Sequence, residues 1–163
     1  MFRLSKMVLN IFRLLAILVS AGLLAFWGLF WPAPDQVLDV SQQTLASLLD
    51  LRNRTKYVEI PGSIYNGMRP ESRRVIAEAQ LNSLIDRLRD GLPSRPSKKF
   101  VLSEFAKTME DFESIDTEDR EQLLRYLEEI MHTLGIENSD GLLSRWMYGP
   151  LLGPLAERLH RKP

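Results

Sequence analysis

The sequence of 163 residues contains no cysteine and only two histidines, His132 and His160. The missing cysteines exclude disulfides, thiolate metal sites and cysteine nucleophiles. The two histidines do not stand at a spacing typical of metal sites or catalytic triads. The sequence also lacks a Walker phosphate loop and the G-x-G-x-x-G, G-x-S-x-G and H-E-x-x-H motifs. We therefore expect no enzyme activity, no cofactor and no metal ion.

One dense run of acidic residues is the remaining candidate for a cation or a catalytic carboxylate pair. The EF-hand order of ligands is absent from it, so we predict no calcium site. A helix end, a cap and the favourable first turn of the next helix explain most of these acids. The run consists of Glu110, Asp111, Glu113, Asp116, Glu118, Asp119 and Glu121.

Leu14–Trp31 is a run of eighteen residues without a charge. Roughly 20 apolar residues in a helix cross the hydrocarbon layer of a membrane, so this run predicts a transmembrane anchor. Arg3, Lys6 and Arg13 precede it, and Pro32–Pro34 stops the helix. By the positive-inside rule the amino terminus is cytoplasmic. We predict a single-pass membrane protein with its carboxy-terminal domain outside the cytoplasm. In a bacterium this means the inner membrane, with the domain in the periplasm or at the cell exterior.

A cleaved signal peptide is the alternative interpretation of this segment. The apolar run is longer than the usual core of such a peptide, and Phe30–Pro34 offers no small-x-small cleavage site. These features favour an uncleaved anchor. The chain then divides into a leader and anchor at 1–34 and an extracytoplasmic helical domain at 35–163. A domain in that compartment meets no nucleic acid, so we expect no binding of DNA or RNA.

The apolar pattern of 35–163 predicts an all-α fold, a compact bundle of four or five helices with short connections. Residues 52–69 are predicted to form an ordered loop. The predicted helices cover 35–51, about 70–91, 98–113, 117–134 and 140–148, with a weak final turn or helix at 151–159.

Charge is divided unevenly within the domain. Residues 52–99 hold 11 bases and 5 acids, a balance of +6, and residues 100–163 hold 7 bases and 13 acids, a balance of −6. Two interpretations follow. Either the two halves face each other or face solvent, or the dipolar surface steers a charged partner.

Two groups of residues near the carboxyl end are candidates for binding a partner. Trp146 and Tyr148 are large aromatic residues ahead of a Gly-Pro break, and they are either core or interface anchors. Asn138 and Asp140 lie in a polar loop, where capping is the simpler explanation. We select these four as the candidate partner-binding residues.

A longer pattern carries a family resemblance. It runs from Glu118-Asp119-Arg120 through Tyr126–Met131 and Leu134–Leu143 to Trp146 and Tyr148-Gly149. This pattern resembles a family of small bacterial helical proteins described as a domain of unknown function, over roughly residues 70–150. The resemblance implies a compact all-helical fold and a bacterial source. It implies no activity, so no residue receives a catalytic role from it.

Three functions follow as hypotheses. The first is a non-enzymatic, membrane-anchored domain that binds an envelope protein, or a delivered toxin that it inhibits as an immunity protein does. The second is a small-ligand or lipid-binding domain, which requires a cavity lined by Phe100, Phe105, Phe112 or Trp146. The third is an envelope hydrolase, which requires a pocket where acids converge, with His132 as a further candidate.

Overall fold

A computed structural model describes residues 35–160, except for the side chains of Leu151 and of residues 154–160. Within this range the chain contains helices and no strand, so the prediction of an all-helical fold is confirmed. The helices are α1 (Gln42–Asn53), α2 (Glu71–Gly91), α3 (Lys98–Glu110), α4 (Thr117–Thr133) and α5 (Leu142–His160).

The predicted anchor, Leu14–Trp31, lies outside the described residues. No helix between residues 35 and 160 is long and apolar enough to cross a membrane. The anchor therefore stays a prediction from the sequence.

The first helix begins later than predicted. Residues 35–40 are not helical, and α1 starts after Ser41, whose hydroxyl accepts a hydrogen bond from the Thr44 backbone at 3.1 Å. The reason is a competing set of backbone bonds: the Leu38 N–H donates to the Pro96 carbonyl at 2.8 Å. The Gln36 carbonyl also accepts from the Lys98 N–H at 3.0 Å, so it is not available to the N–H four residues later in a helix, and Leu38 is buried in this non-helical segment. The prediction of helix from residue 35 was wrong for this tertiary reason.

The bounds of α2 and α4 lie close to the predicted ones. In contrast, α3 ends at Glu110 and not at 113, and α5 runs from Leu142 to His160 across the predicted stop at Gly149, where it is broken. Glu71 begins α2 directly after Pro70, and the helix ends at Gly91. Ser97 caps α3 by accepting a hydrogen bond from the Phe100 backbone at 3.2 Å. Gly135, which adopts a left-handed backbone conformation with φ of 66°, follows α4. These starts and stops are local, which is why the sequence predicts them.

The core is a continuous cluster contributed mainly by α2, α3 and α4. Its members recur at helical spacing, so each helix presents one apolar stripe to its neighbours. Burying one such side chain contributes about 1.5–3 kcal/mol. The completely buried members include Leu81, Leu84, Ile85, Leu88, Val101, Phe105, Phe112, Leu123, Leu127 and Ile130.

A break divides α5 at Gly149, whose φ of 79° and ψ of 172° are not helical. Glycine adopts this conformation far more readily than other residues. The residues after the break fold back against the first half of α5. Gly153 packs so closely there that a Cβ at this position would lie 2.8 Å from the Arg145 Cα. The first half of α5 therefore has its own direction.

The oppositely charged halves of the domain face each other. Ion pairs join the basic region to the acidic region, with nitrogen–oxygen distances of 2.7 Å for Lys98–Asp140 and 2.8 Å for Arg87–Glu104. Arg54 pairs with Glu129 in the same way. Of the two interpretations of the charge division, this geometry supports facing halves.

Candidate functional site

A groove of about 840 Å³ lies between α4, the loop that follows it and the first half of α5. It is open to solvent, since its rim residues are exposed. The lining residues are Leu124, Glu128, Met131, His132, Ile136, Glu137, Asn138, Ser139, Leu143, Ser144, Met147 and Tyr148.

The floor of the groove is apolar and continuous with the core. Met131 on α4 and Leu143 on α5 are each 6% exposed, so they belong to the core and present one side to the groove. Leu124 lies seven residues before Met131 and therefore on the same side of α4. Met147 lies four residues after Leu143 and extends the floor along α5. The helical spacing of these residues produces the apolar surface.

The rim is polar and carries negative charge. Glu128 and His132 are one turn apart on α4, and Glu137 lies on the loop; all three are exposed. Neither carboxylate forms an ion pair with any of the side chains that the structure describes. Among the residues whose side chains the structure describes, no lysine or arginine lines the groove. On the α5 side, Tyr148 is 49% exposed and adds an aromatic ring to the rim.

The loop wall of the groove is held from outside by Lys98. Its ammonium donates to Asn138 Oδ1 at 2.8 Å and to Asp140 Oδ1 at 2.7 Å. The Gln36 side chain donates to the Gly135 carbonyl at 3.0 Å, at the start of the same loop. Lys98 is itself only 12% exposed. These bonds fix the loop in advance, so the groove is present without a ligand.

The four candidate partner-binding residues divide between two environments. Asn138 and Tyr148 line the groove, and Asp140 stabilises its wall. Trp146 points elsewhere: it packs against the core, and the Arg120 guanidinium lies 4.2 Å from the centre of its ring. Three of the four therefore lie at one site, and the fourth supports the helix that carries Tyr148.

The histidines and acids form no metal centre in the part of the chain that the structure describes, where no three potential ligands come together. His132 lines the groove, and the side chain of His160 lies outside the described residues. Asp119, assigned to a favourable first turn of α4, is buried and accepts a hydrogen bond from the Tyr65 hydroxyl at 2.8 Å. Its position after a helix start gives no signal of this role.

Sequence reasoning also missed a buried lysine in the loop after α1. Lys56 is completely buried, and its ammonium donates to Asn82 and to the carbonyls of Arg52 and Arg54, at 2.7–2.8 Å. Burial lowers the pKa of Lys56, because the charged form loses hydration. These bonds close the loop after α1. A structural role accounts for this lysine.

Comparisons with known proteins agree on a helical domain. A family model described as "Domain of unknown function (DUF4844)" matches residues 39–150, more than half of the chain. A crystal structure of a DUF3571 family protein from Acinetobacter baumannii AYE has a similar fold, with a TM-score of 0.61 and 22% identity. The similarity covers 70% of this chain and 95% of that chain. At this identity it shows the fold alone. No curated protein matches the sequence.

Proposed function

We propose a function for this protein on the basis of the groove between α4 and α5. The protein belongs to the DUF4844 family, a domain of unknown function. The proposal is a non-enzymatic domain, anchored in the bacterial inner membrane, that binds another protein through this groove. The partner is an envelope protein or a delivered toxin, and in the second case the domain acts as an immunity-type inhibitor.

The observation that carries the proposal is an apolar floor kept open beside an exposed aromatic ring. Met131 and Met147 lie in the floor, and methionine adapts its shape to different partners. Tyr148 is exposed at the edge, and tyrosine is enriched at interfaces, where it supplies a large contact area. The loop wall held by Lys98 reduces the ordering that binding would otherwise require.

The anchor is the second part of the proposal, and its support is the sequence. Leu14–Trp31 has the length and composition of a single span, and Arg3, Lys6 and Arg13 precede it. The described domain begins at Asp35, directly after Pro32–Pro34. The groove then meets partners outside the cytoplasm.

A small-ligand or lipid site is the second candidate, and the groove volume favours it. Ligand pockets typically occupy about 300–1,000 Å³, and this groove has about 840 Å³. Its lining differs from the sequence expectation, since Phe105 and Phe112 are fully buried in the core. Against a small ligand, the polar groups stand on the exposed rim and do not converge on one point. The hydrolase hypothesis has weaker support, because no hydrogen bond orients Glu128, Glu137 or His132 among the described residues.

Photocrosslinking in membranes tests the interaction directly. A photoreactive amino acid at Met147 places the probe in the groove; the same residue at Ile76, which is 59% exposed on α2, is the matched control. We expect one specific protein to be crosslinked from position 147 and not from position 76. Identical products from both positions, or none from position 147, would contradict the proposal. A fluorescent fatty acid tests the second candidate, which requires saturable binding that Met147→Trp abolishes.

A further inference from the structure

We propose that the segment that enters the groove is a cationic amphipathic helix of the partner protein. The inference rests on the proposed function and adds the chemistry and conformation of the bound segment. Three features of the groove point to it: its unpaired carboxylates, its apolar floor and the absence of a strand edge among residues 35–160.

The charges of the rim favour a partner segment with basic side chains. Glu128 and Glu137 stand on the α4 and loop sides of the groove, and neither has an ion-pair partner among the side chains that the structure describes. Two bases are bonded to the loop wall: Lys98, which Asp140 neutralises, and Arg145, whose guanidinium donates to the Asp140 carbonyl at 3.1 Å. An arginine or lysine of a partner would therefore meet two carboxylates and no competing base in the lining. Anionic lipid headgroups would be repelled by the same two groups.

The floor selects a segment with an apolar face. Leu124 and Met131 on α4 face Leu143 and Met147 on α5, so apolar side chains line the groove along both helices. A helix that carries apolar residues at i, i+3 or i+4, and i+7 presents a stripe that fills such a groove. Methionine-containing grooves that accept amphipathic helices work in this way, because the flexible thioether adjusts to the inserted side chains.

Backbone hydrogen bonding distinguishes a helix from an extended segment. An extended peptide in an apolar groove exposes N–H and C=O groups that a strand edge, side chains or water must pair, and a strand edge pairs them most completely. The described residues contain no strand, and the Val37–Ser97 bridge involves no groove residue. A helix satisfies its own backbone groups, so it is the conformation that this groove accepts at low cost. Lysine or arginine on the flanks of its apolar stripe completes the match to Glu128 and Glu137.

Synthetic peptides test this chemistry with the full chain in nanodiscs of zwitterionic lipid. The first probe is a fluorescent 18-residue helix of leucine and lysine with one apolar stripe. The second replaces every lysine with glutamate, and the third keeps the composition of the first but scrambles the stripe. We expect only the first peptide to bind with saturation, and we expect the fatty acid probe not to displace it.

Two double variants locate the binding. Glu128→Gln/Glu137→Gln removes the rim charge. We expect it to lower the affinity for the first peptide about fivefold at low salt, since two exposed charge pairs together contribute about 1 kcal/mol. Glu110→Gln/Glu113→Gln, at exposed positions outside the groove, is the matched control and should leave affinity unchanged. Equal binding of the first two peptides, or equal effects of the two variants, would overturn the inference.

The two proposals fail in different ways. If Met147 crosslinks a specific partner and the crosslinked segment is neutral, acidic or extended, the interaction function stands and the cationic helix is wrong. If the leucine–lysine peptide binds as expected but membranes yield no crosslinked partner, the groove chemistry stands and the interaction function is wrong. Sequencing the crosslinked segment separates these outcomes.

Discussion

Lys98 Nζ lies 2.7 Å from Asp140 Oδ1 and thereby connects the first residue of α3 to the loop that forms one wall of the groove. The two residues are far apart in sequence and belong to the basic and acidic halves of the domain. The ammonium also holds Asn138. One side chain therefore orders a loop that contains two of the predicted partner-binding residues.

Replacing Lys98 should loosen this wall more than it destabilises the fold. For Lys98→Met we expect a loss of about 1 kcal/mol in the free energy of unfolding, since Asn138 and Asp140 are exposed and can be rehydrated. We also expect faster hydrogen exchange of the amides of 136–142. Lys99→Met is the matched control, because no side-chain hydrogen bond of Lys99 occurs within the described domain. Equal exchange in both variants would show that Lys98 does not order the loop.

Two tyrosines in contact should respond oppositely to loss of their hydroxyl groups. The Tyr57 hydroxyl is buried without a hydrogen-bond partner among the described residues, whereas the Tyr126 hydroxyl accepts from the Tyr57 backbone at 3.1 Å. Tyr57→Phe should therefore leave the free energy of unfolding unchanged or raise it by up to about 1 kcal/mol. Tyr126→Phe strands a buried N–H and should lower it by about 1–3 kcal/mol. Urea unfolding of both variants measures the difference, and a larger loss for Tyr57→Phe would contradict it.

Stability should fall at alkaline pH because of two tyrosines. Burial raises the pKa of Tyr57, and burial together with the hydrogen bond to Asp119 raises the pKa of Tyr65. Unfolded tyrosines titrate near about pH 10, so above that pH the unfolded chain loses protons that the folded chain keeps. The stabilisation is complete below pH 10 and is lost as the pH rises through the folded pKa values, by about 1.4 kcal/mol per pH unit for each tyrosine.

The variant Tyr57→Phe/Tyr65→Phe tests this origin of the alkaline loss. Urea unfolding midpoints between pH 9 and 11 should fall less steeply with pH in the variant than in the natural protein. Lys56 acts in the opposite direction, because its lowered pKa makes stability rise towards the unfolded lysine value, and it is present in both chains. Parallel pH profiles would assign the loss to other groups.

Substitutions of Trp146 and Tyr148 should have different effects, the first on stability and the second on binding. Trp146 packs against the core beneath Arg120, so Trp146→Ala should lower the free energy of unfolding by about 2–3 kcal/mol. Tyr148 is half exposed at the rim, so Tyr148→Ala should change stability by less than about 0.5 kcal/mol. Only Tyr148→Ala should reduce crosslinking from Met147 in a fully folded protein. Unchanged crosslinking in that variant would remove Tyr148 from the interface.

The orientation of the anchor is tested by a reporter fused after Pro163. Alkaline phosphatase, which requires an oxidising compartment, should be active in this fusion. A fusion that begins at Asp35 lacks the leader and is the control, which should be inactive. Activity of a cytoplasmic reporter at the same position would show that the carboxyl end faces the cytoplasm.

Most helix ends were predictable from the sequence because local signals set them. Ser97 ahead of α3, Glu71 after Pro70 and Gly135 after α4 are short-range starts and stops, and each works through bonds within a few residues. The residues of the groove were predicted from the sequence only in part. Asn138 and Tyr148 were candidates as a polar loop residue and an aromatic residue, but nothing in their spacing indicated that they line the same surface.

The sequence by itself determined an all-helical domain, the positions of most helix ends and a division of charge between two halves, because periodicity, capping and composition are local properties. Tertiary structure decided the rest. It placed residues 35–40 against Pro96, buried Lys56 among carbonyl groups and separated Trp146 from Tyr148. It also joined Lys98 to Asp140, a contact that depends on how α3 and the loop after α4 meet, since neither residue carries a local signal of the other.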